Sequence, residues 1–155
     1  MPPAKKTSNA KSGIRVETFL LCDVARIQHG KLYIIGGGWE RLAVKEIPTK
    51  SEFDIAIRIL VPRSMLAKPL ELKVSFTDDA GDIEGDSDTV KMEMPAQTPA
   101  NVDLLALNYC FHAEMTFGKF GTFGCNMEAN GKLVDRIEFH IVSRSEAAAE
   151  IARLG

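Results

Sequence analysis

The stretch Leu105-Ala106-Leu107-Asn108-Tyr109-Cys110-Phe111-His112-Ala113-Glu114-Met115-Thr116-Phe117 decides the class of this chain. Its odd-numbered residues are all apolar, while Asn108, His112, Glu114 and Thr116 fall among the even-numbered ones. A strand sends successive side chains to opposite faces, so this pattern gives one buried face and one polar face. A helix would mix the two sets. The stretch therefore predicts one long strand, bent or bulged. The same alternation runs outward from it through Leu70, Leu72, Val74 and Phe76, and through Phe53, Ile55, Ile57, Ile59 and Val61. Val90, Met92 and Met94, then Phe123, Cys125 and Met127, then Ile137, Phe139 and Ile141 continue it.

Two early segments, Arg15 to Asp23 and Lys31 to Ile35, are apolar on both parities, which predicts central strands covered on both faces. The structural glycines Gly36, Gly37 and Gly38 then interrupt the pattern and predict a bulge or sharp bend. Pro48, Pro62, Pro69, Pro95 and Pro99 fall between the proposed strands, where a missing N–H costs no ladder bond. Around Asn130-Gly131, a two-residue loop would set inward Phe123 opposite outward Glu138. A three-residue loop, Ala129 to Gly131, sets it beside Ile137, so the reading is a type I turn with Gly131 left-handed in a G1 bulge. Residues 144–154 are rich in helix formers, with Ser143 or Ser145 as N-cap, and Ile151 and Leu154 are the apolar contacts expected of that helix, on the domain or on a neighbouring subunit.

The chain has 155 residues, 45% of them hydrophobic and 26% charged. A domain of that size buries roughly two-thirds of the surface its unfolded chain exposes and needs no staple. Lys5, Lys6 and Lys11 make residues 1–13 a basic tail, expected to be disordered. Residues 14–155 are expected to form one domain, with 16 basic against 21 acidic groups. That negative balance disfavours nucleic acid as a partner. The sequence has no signal-like apolar core and no transmembrane segment, which points to a cytoplasmic protein. Cys22, Cys110 and Cys125 are odd in number and lack metal-ligand spacing, so reduced structural thiols are expected.

Phe19-Leu20-Leu21-Cys22-Asp23, followed by Gly30-Lys31-Leu32-Tyr33-Ile34-Ile35-Gly36-Gly37-Gly38-Trp39, resembles the N-terminus of an uncharacterised family of small bacterial and phage-associated proteins. Gly118 to Met127 with the following Asn-Gly is similar to that family's last hairpin and to those of many immunoglobulin-like sandwiches. The resemblance implies a β-sandwich of unknown function and brings no catalytic residues with it. The triple glycine and the terminal helix depart from it. Eight or nine strands and one terminal helix together predict an all-β, two-sheet antiparallel β-sandwich, immunoglobulin-like or C2-like, with one short C-terminal helix. An eight-stranded β-barrel is the alternative.

The conspicuous polar feature is an acidic loop, 78–88, carrying Asp78, Asp79, Asp82, Glu84, Asp86 and Asp88 without a Lys or Arg. Carboxylates gathered on a loop can ligate calcium, although Gly81 and Gly85 fall at the wrong offsets for an EF-hand and a solvated hairpin is the plainer reading. His29, His112 and His140 lack a local ligand set, and the Cys110/His112 pair is too generic to be read as a zinc site or a hydrolase dyad. The run Gly36 to Gly38 lacks the Lys-Ser/Thr of a phosphate loop. Phe120 at a loop tip, with Lys119 beside it, is a contact candidate.

These features predict no enzyme and no cofactor other than possible calcium. They predict a non-enzymatic binding or assembly module whose sheet edges or loops meet a protein partner or a second copy. The competing expectation is a calcium-dependent ligand- or membrane-binding domain using the acidic loop.

Overall fold

The computed structural model describes residues 13–154, so the basic tail expected over residues 1–13 lies, but for Gly13, outside the described residues. Nine strands follow in order: β1 Arg15–Gln28, β2 Lys31–Gly37, β3 Arg41–Val44, β4 Thr49–Pro62, β5 Leu70–Asp78, β6 Ile83–Met92, β7 Leu104–Phe117, β8 Gly121–Ala129 and β9 Lys132–Ser143, then helix α1 Arg144–Leu154. They form a four-stranded sheet ordered β2-β1-β4-β7 and a five-stranded sheet ordered β3-β9-β8-β5-β6. Among the described residues no strand belongs to both sheets, so the fold is a sandwich and not a barrel.

The alternating residues do what their parity requires. Phe53, Ile55, Ile57, Ile59 and Val61 of β4 meet Leu70, Leu72, Val74 and Phe76 of β5 and the buried residues of β7, β8 and β9 in one core. At its centre Phe139 lies against Trp39, Phe53, Phe76 and Phe117 edge to face, and stacks on Phe123 at 5.8 Å. β7 pairs with β4 over fourteen residues without a register shift, so the long strand is not bulged against its partner.

Four details depart from the sequence reading. First, β1 is central and fully buried at Leu21 and Cys22, but β2 is an edge strand with Tyr33 50% and Ile35 65% exposed. Apolar residues on both parities report hydrophobicity; they do not by themselves supply a second neighbour. Second, β3 pairs with β9 in parallel, against the all-antiparallel expectation. β2 stays paired to β1 through Gly37, and the chain crosses to the other sheet over residues 38–40, where Gly38 has φ of 82°; at Gly36, φ 61°, a Cβ would collide with the Asp23 carboxylate.

Third, the hairpin between β8 and β9 closes through two residues, not three. Ala129 pairs with Lys132, and Asn130 and Gly131 have φ of 50° and 80°, the left-handed pair of a type I′ turn. Asn130 is held there because its N–H donates to Glu71 O and its Oδ1 accepts the Glu71 N–H. The register then shifts between Met127 and Glu128, leaving Val134 as the extra residue and setting Phe123 opposite Phe139 instead of Ile137. Parity demanded an extra residue; the chain puts it in the strand. Fourth, Ser143 Oγ accepts the Glu146 N–H and caps α1 as expected, but Ile151 and Leu154 are exposed, against the first of the two expected packings, on the domain itself.

Candidate functional site

The acids read as one loop divide between two settings. Asp78 ends β5 and holds a tight turn, its Oδ1 accepting the N–H groups of Ala80 at 3.0 Å and Asp82 at 2.9 Å. Lys119 reaches this turn from the loop after β7, 2.9 Å from Asp78 and 3.3 Å from Asp79. That ammonium, followed by the backbone donors, holds the Asp78 carboxyl below the usual range. Glu84, Asp86 and Asp88 are not in a loop at all: they lie on β6, Glu84 opposite Phe76 and Asp88 opposite Val74, with Asp86 in the register shift between them. The turn is thus already satisfied by its own backbone and a lysine. Phe120 is half exposed and lines an open groove of about 460 Å³ with Arg41, His140 and Glu150, beneath α1.

A second group of polar residues lies on the outer face of the four-stranded sheet. The antiparallel register sets Glu52 opposite Glu114, Asp54 opposite His112, Ala56 opposite Cys110 and Arg58 opposite Asn108. One half of this face is covered. Beyond Cys22, β1 leaves β4, and the hairpin it makes with β2 bends over the sheet, so that Cys22, Ala25 and Ala56 are buried with Leu20, Leu32 and Cys110 around them. Asn108 Nδ2 donates to Gly30 O at the hairpin tip. The other half stays open and holds Glu52, His112 and Glu114.

Asp54 stands on the boundary. Its carboxylate is only 14% exposed, with Oδ2 accepting the Ala25 N–H at 2.8 Å and Oδ1 2.7 Å from His112 Nδ1. The hydrogen bond to Asp54 first, and then the charges of Asp54, Glu52 and Glu114, raise the His112 pKa against the opposing effect of burial. The ring's Nε2 lies 4.0 Å from Glu114 Oε1, and the ligating atoms of Glu52, His112 and Glu114 all fall within 4.8 Å of one another. Lys50 Nζ, 3.4 Å from Glu114 Oε2, is the nearby cation.

Both neighbouring thiols are shifted away from the thiolate form. Burial, with the Asp54 charge next, pushes the Cys22 thiol up to about 11 and raises that of Cys110 as well. Catalysis by cysteine needs the opposite shift. The sequence placed Glu114 and His112 on one polar parity and Glu52 and Asp54 on another, and the register that joins them was the missing signal.

The remaining feature is the edge. The residues of β2 that pair with the outward side of β1, Tyr33 opposite Arg26 and Ile35 opposite Val24, present an apolar surface beside an unpaired strand edge.

Among the described residues no helix is long and apolar enough to cross a membrane. No curated protein matches this sequence. The solved structures similar to it include two from Pseudomonas. An alkylpurine DNA glycosylase from Pseudomonas fluorescens, bound to DNA containing an abasic site analog, is 9% identical with a TM-score of 0.42 over 85% of this chain. The chain spans 31% of that protein's length. An immunoglobulin-like protein from Pseudomonas aeruginosa is 12% identical with a TM-score of 0.39, over 86% of this chain and 99% of the other. The expectation of an uncharacterised family holds: residues 17–142 match a family of unknown function, DUF6941, and the chain belongs to it.

Proposed function

We propose that this domain is a non-enzymatic binding or assembly module that adds a protein strand at the free edge of β2. The observation that carries this reading is the edge itself: a seven-residue terminal strand with Tyr33 and Ile35 at least half exposed. An unprotected edge offers a row of free N–H and C=O groups, and flanking apolar side chains give the added strand something to bury. A second copy is the simplest source of that strand, because one edge then supplies both halves of a two-fold pairing. The acidic excess of the folded region favours a protein over nucleic acid. The calcium reading has weaker support, since Lys119 occupies the turn and three of the six acids belong to a strand.

Light scattering over a concentration series tests the proposal. The native chain is expected to gain mass with concentration, and Ile35→Lys to remain a monomer with an unchanged thermal midpoint. A native chain that stays monomeric throughout, or an Ile35→Lys variant that associates equally well, would overturn assembly through β2.

A further inference from the structure

We propose that Glu52, His112 and Glu114 form a site for a divalent cation of the zinc class, with Asp54 as the residue that orients the imidazole. This goes beyond the edge reading and does not depend on it.

Three donors converge without any loop having to move, because all three project from the fourteen-residue β4/β7 ladder, Glu52 directly opposite Glu114 and His112 opposite Asp54 one step along the same face. Two of them, Glu52 and Glu114, are like charges set opposite each other, an arrangement that costs stability and that a cation between them relieves. Lys50 answers only one oxygen of Glu114. The third donor is prepared. With Asp54 Oδ1 accepting from Nδ1–H at 2.7 Å, the neutral ring carries its lone pair on Nε2, 4.0 Å from Glu114 Oε1. Metal-bound histidines characteristically donate their other N–H to a carboxylate in this manner. Asp54 is in turn fixed by the Ala25 N–H, so its orientation is set by the covered half of the face.

The donor set selects the ion class. One imidazole nitrogen with two carboxylates suits zinc, cobalt or manganese, whereas calcium calls for an all-oxygen shell of six to eight ligands. Three protein ligands leave a coordination position open to water or to a group from outside.

Calorimetric titration of the full chain with zinc chloride, thiols kept reduced, provides the test. One equivalent is expected to bind the native protein. His112→Gln is expected to abolish binding, and Glu52→Gln and Glu114→Gln each to weaken it about tenfold or more. Asp54→Asn, which offers no ligand, is expected to weaken it about 10- to 100-fold. Lys50→Met should tighten it. The glutamates and His112 are exposed, so their variants are expected to keep the native circular dichroism. Absence of zinc binding in the native chain, or binding that survives both His112→Gln and the double variant Glu52→Gln/Glu114→Gln, would overturn the site. So would a thiolate-to-metal charge-transfer band on loading with cobalt, which would transfer the ion to the cysteines.

Discussion

Replacing Asp54 by Asn separates the two jobs this carboxylate performs. In the native chain Oδ2 accepts the Ala25 N–H and Oδ1 lies 2.7 Å from His112 Nδ1. An asparagine oxygen can still serve Ala25, but its amide then donates to the imidazole and forces the ring proton onto Nε2. A hydrogen bond to a charged group contributes about 1.5–3 kcal/mol and a neutral one about 0.5–1.5 kcal/mol. The difference is about 1 kcal/mol, and because the imidazole is 59% exposed, solvent reduces it to roughly 0.5 kcal/mol. Asp54→Ala does more: it also leaves the Ala25 N–H without its acceptor, a further loss of about 1–3 kcal/mol.

The pH dependence fixes the assignment. His112 is easier to protonate in the folded chain than in the unfolded one. Its ion pair therefore stabilises fully below the unfolded value of about 6.5 and is lost as pH rises through the folded-state pKa. Urea midpoints measured with a chelator present, near pH 5 and again near pH 9, are expected to show native and Asp54→Asn further apart at the acidic end, with equal denaturant slopes. An equal gap at both pH values, or the same gap in a His112→Gln background, would refute the coupling and leave Asp54 acting through Ala25 alone.

Two further outcomes test the core and the thiols. Phe139→Ala is expected to cost about 3–5 kcal/mol in urea unfolding, because its ring is fully buried among five other aromatic rings held by both sheets and the space cannot collapse; a loss under about 1.5 kcal/mol would show that the sheets close over the gap. A thiol-disulfide reagent near neutral pH is expected to modify Cys110, which is partly exposed, slowly, and to leave the buried Cys22 and Cys125 untouched until the chain unfolds; fast labelling of Cys22 in the folded protein would show that the β1/β2 hairpin opens.

What the sequence made legible follows from what a strand's period encodes. Parity told which side of each strand is buried, and Phe53 through Val61 or Leu105 through Phe117 could be assigned residue by residue because both faces of the alternation were distinct. Neighbour relations are not encoded that way. Tyr33 and Ile35 have the composition of a central strand and sit at an edge, and Val134 supplies an offset that a turn-based argument assigned to Ala129–Gly131. The outer-face site illustrates the same limit. Glu52 and Glu114 are sixty-two positions apart, and only the β4/β7 register brings their ligating atoms near His112. Clustering in sequence pointed instead to Asp78 through Asp88, where pairing separates the acids and Lys119 supplies the countercharge.

The outer face also connects the two proposals physically. Covering a sheet face with a hairpin buries Cys22, Ala25 and Ala56, and the cost of enclosing the Ala25 N–H is met by a carboxylate from the sheet beneath. That carboxylate has a second oxygen, and it faces the open half, where His112 takes it. A shift of the β1/β2 hairpin that moved Ala25 would alter the hold on Asp54 and, through it, the orientation of His112. The strand edge proposed for assembly is the outer strand of that same hairpin. The proposed assembly at β2 and the proposed ion site at Nε2 thus share one hydrogen-bonded chain, Ala25 to Asp54 to His112, and any coupling between them must be reciprocal in free energy.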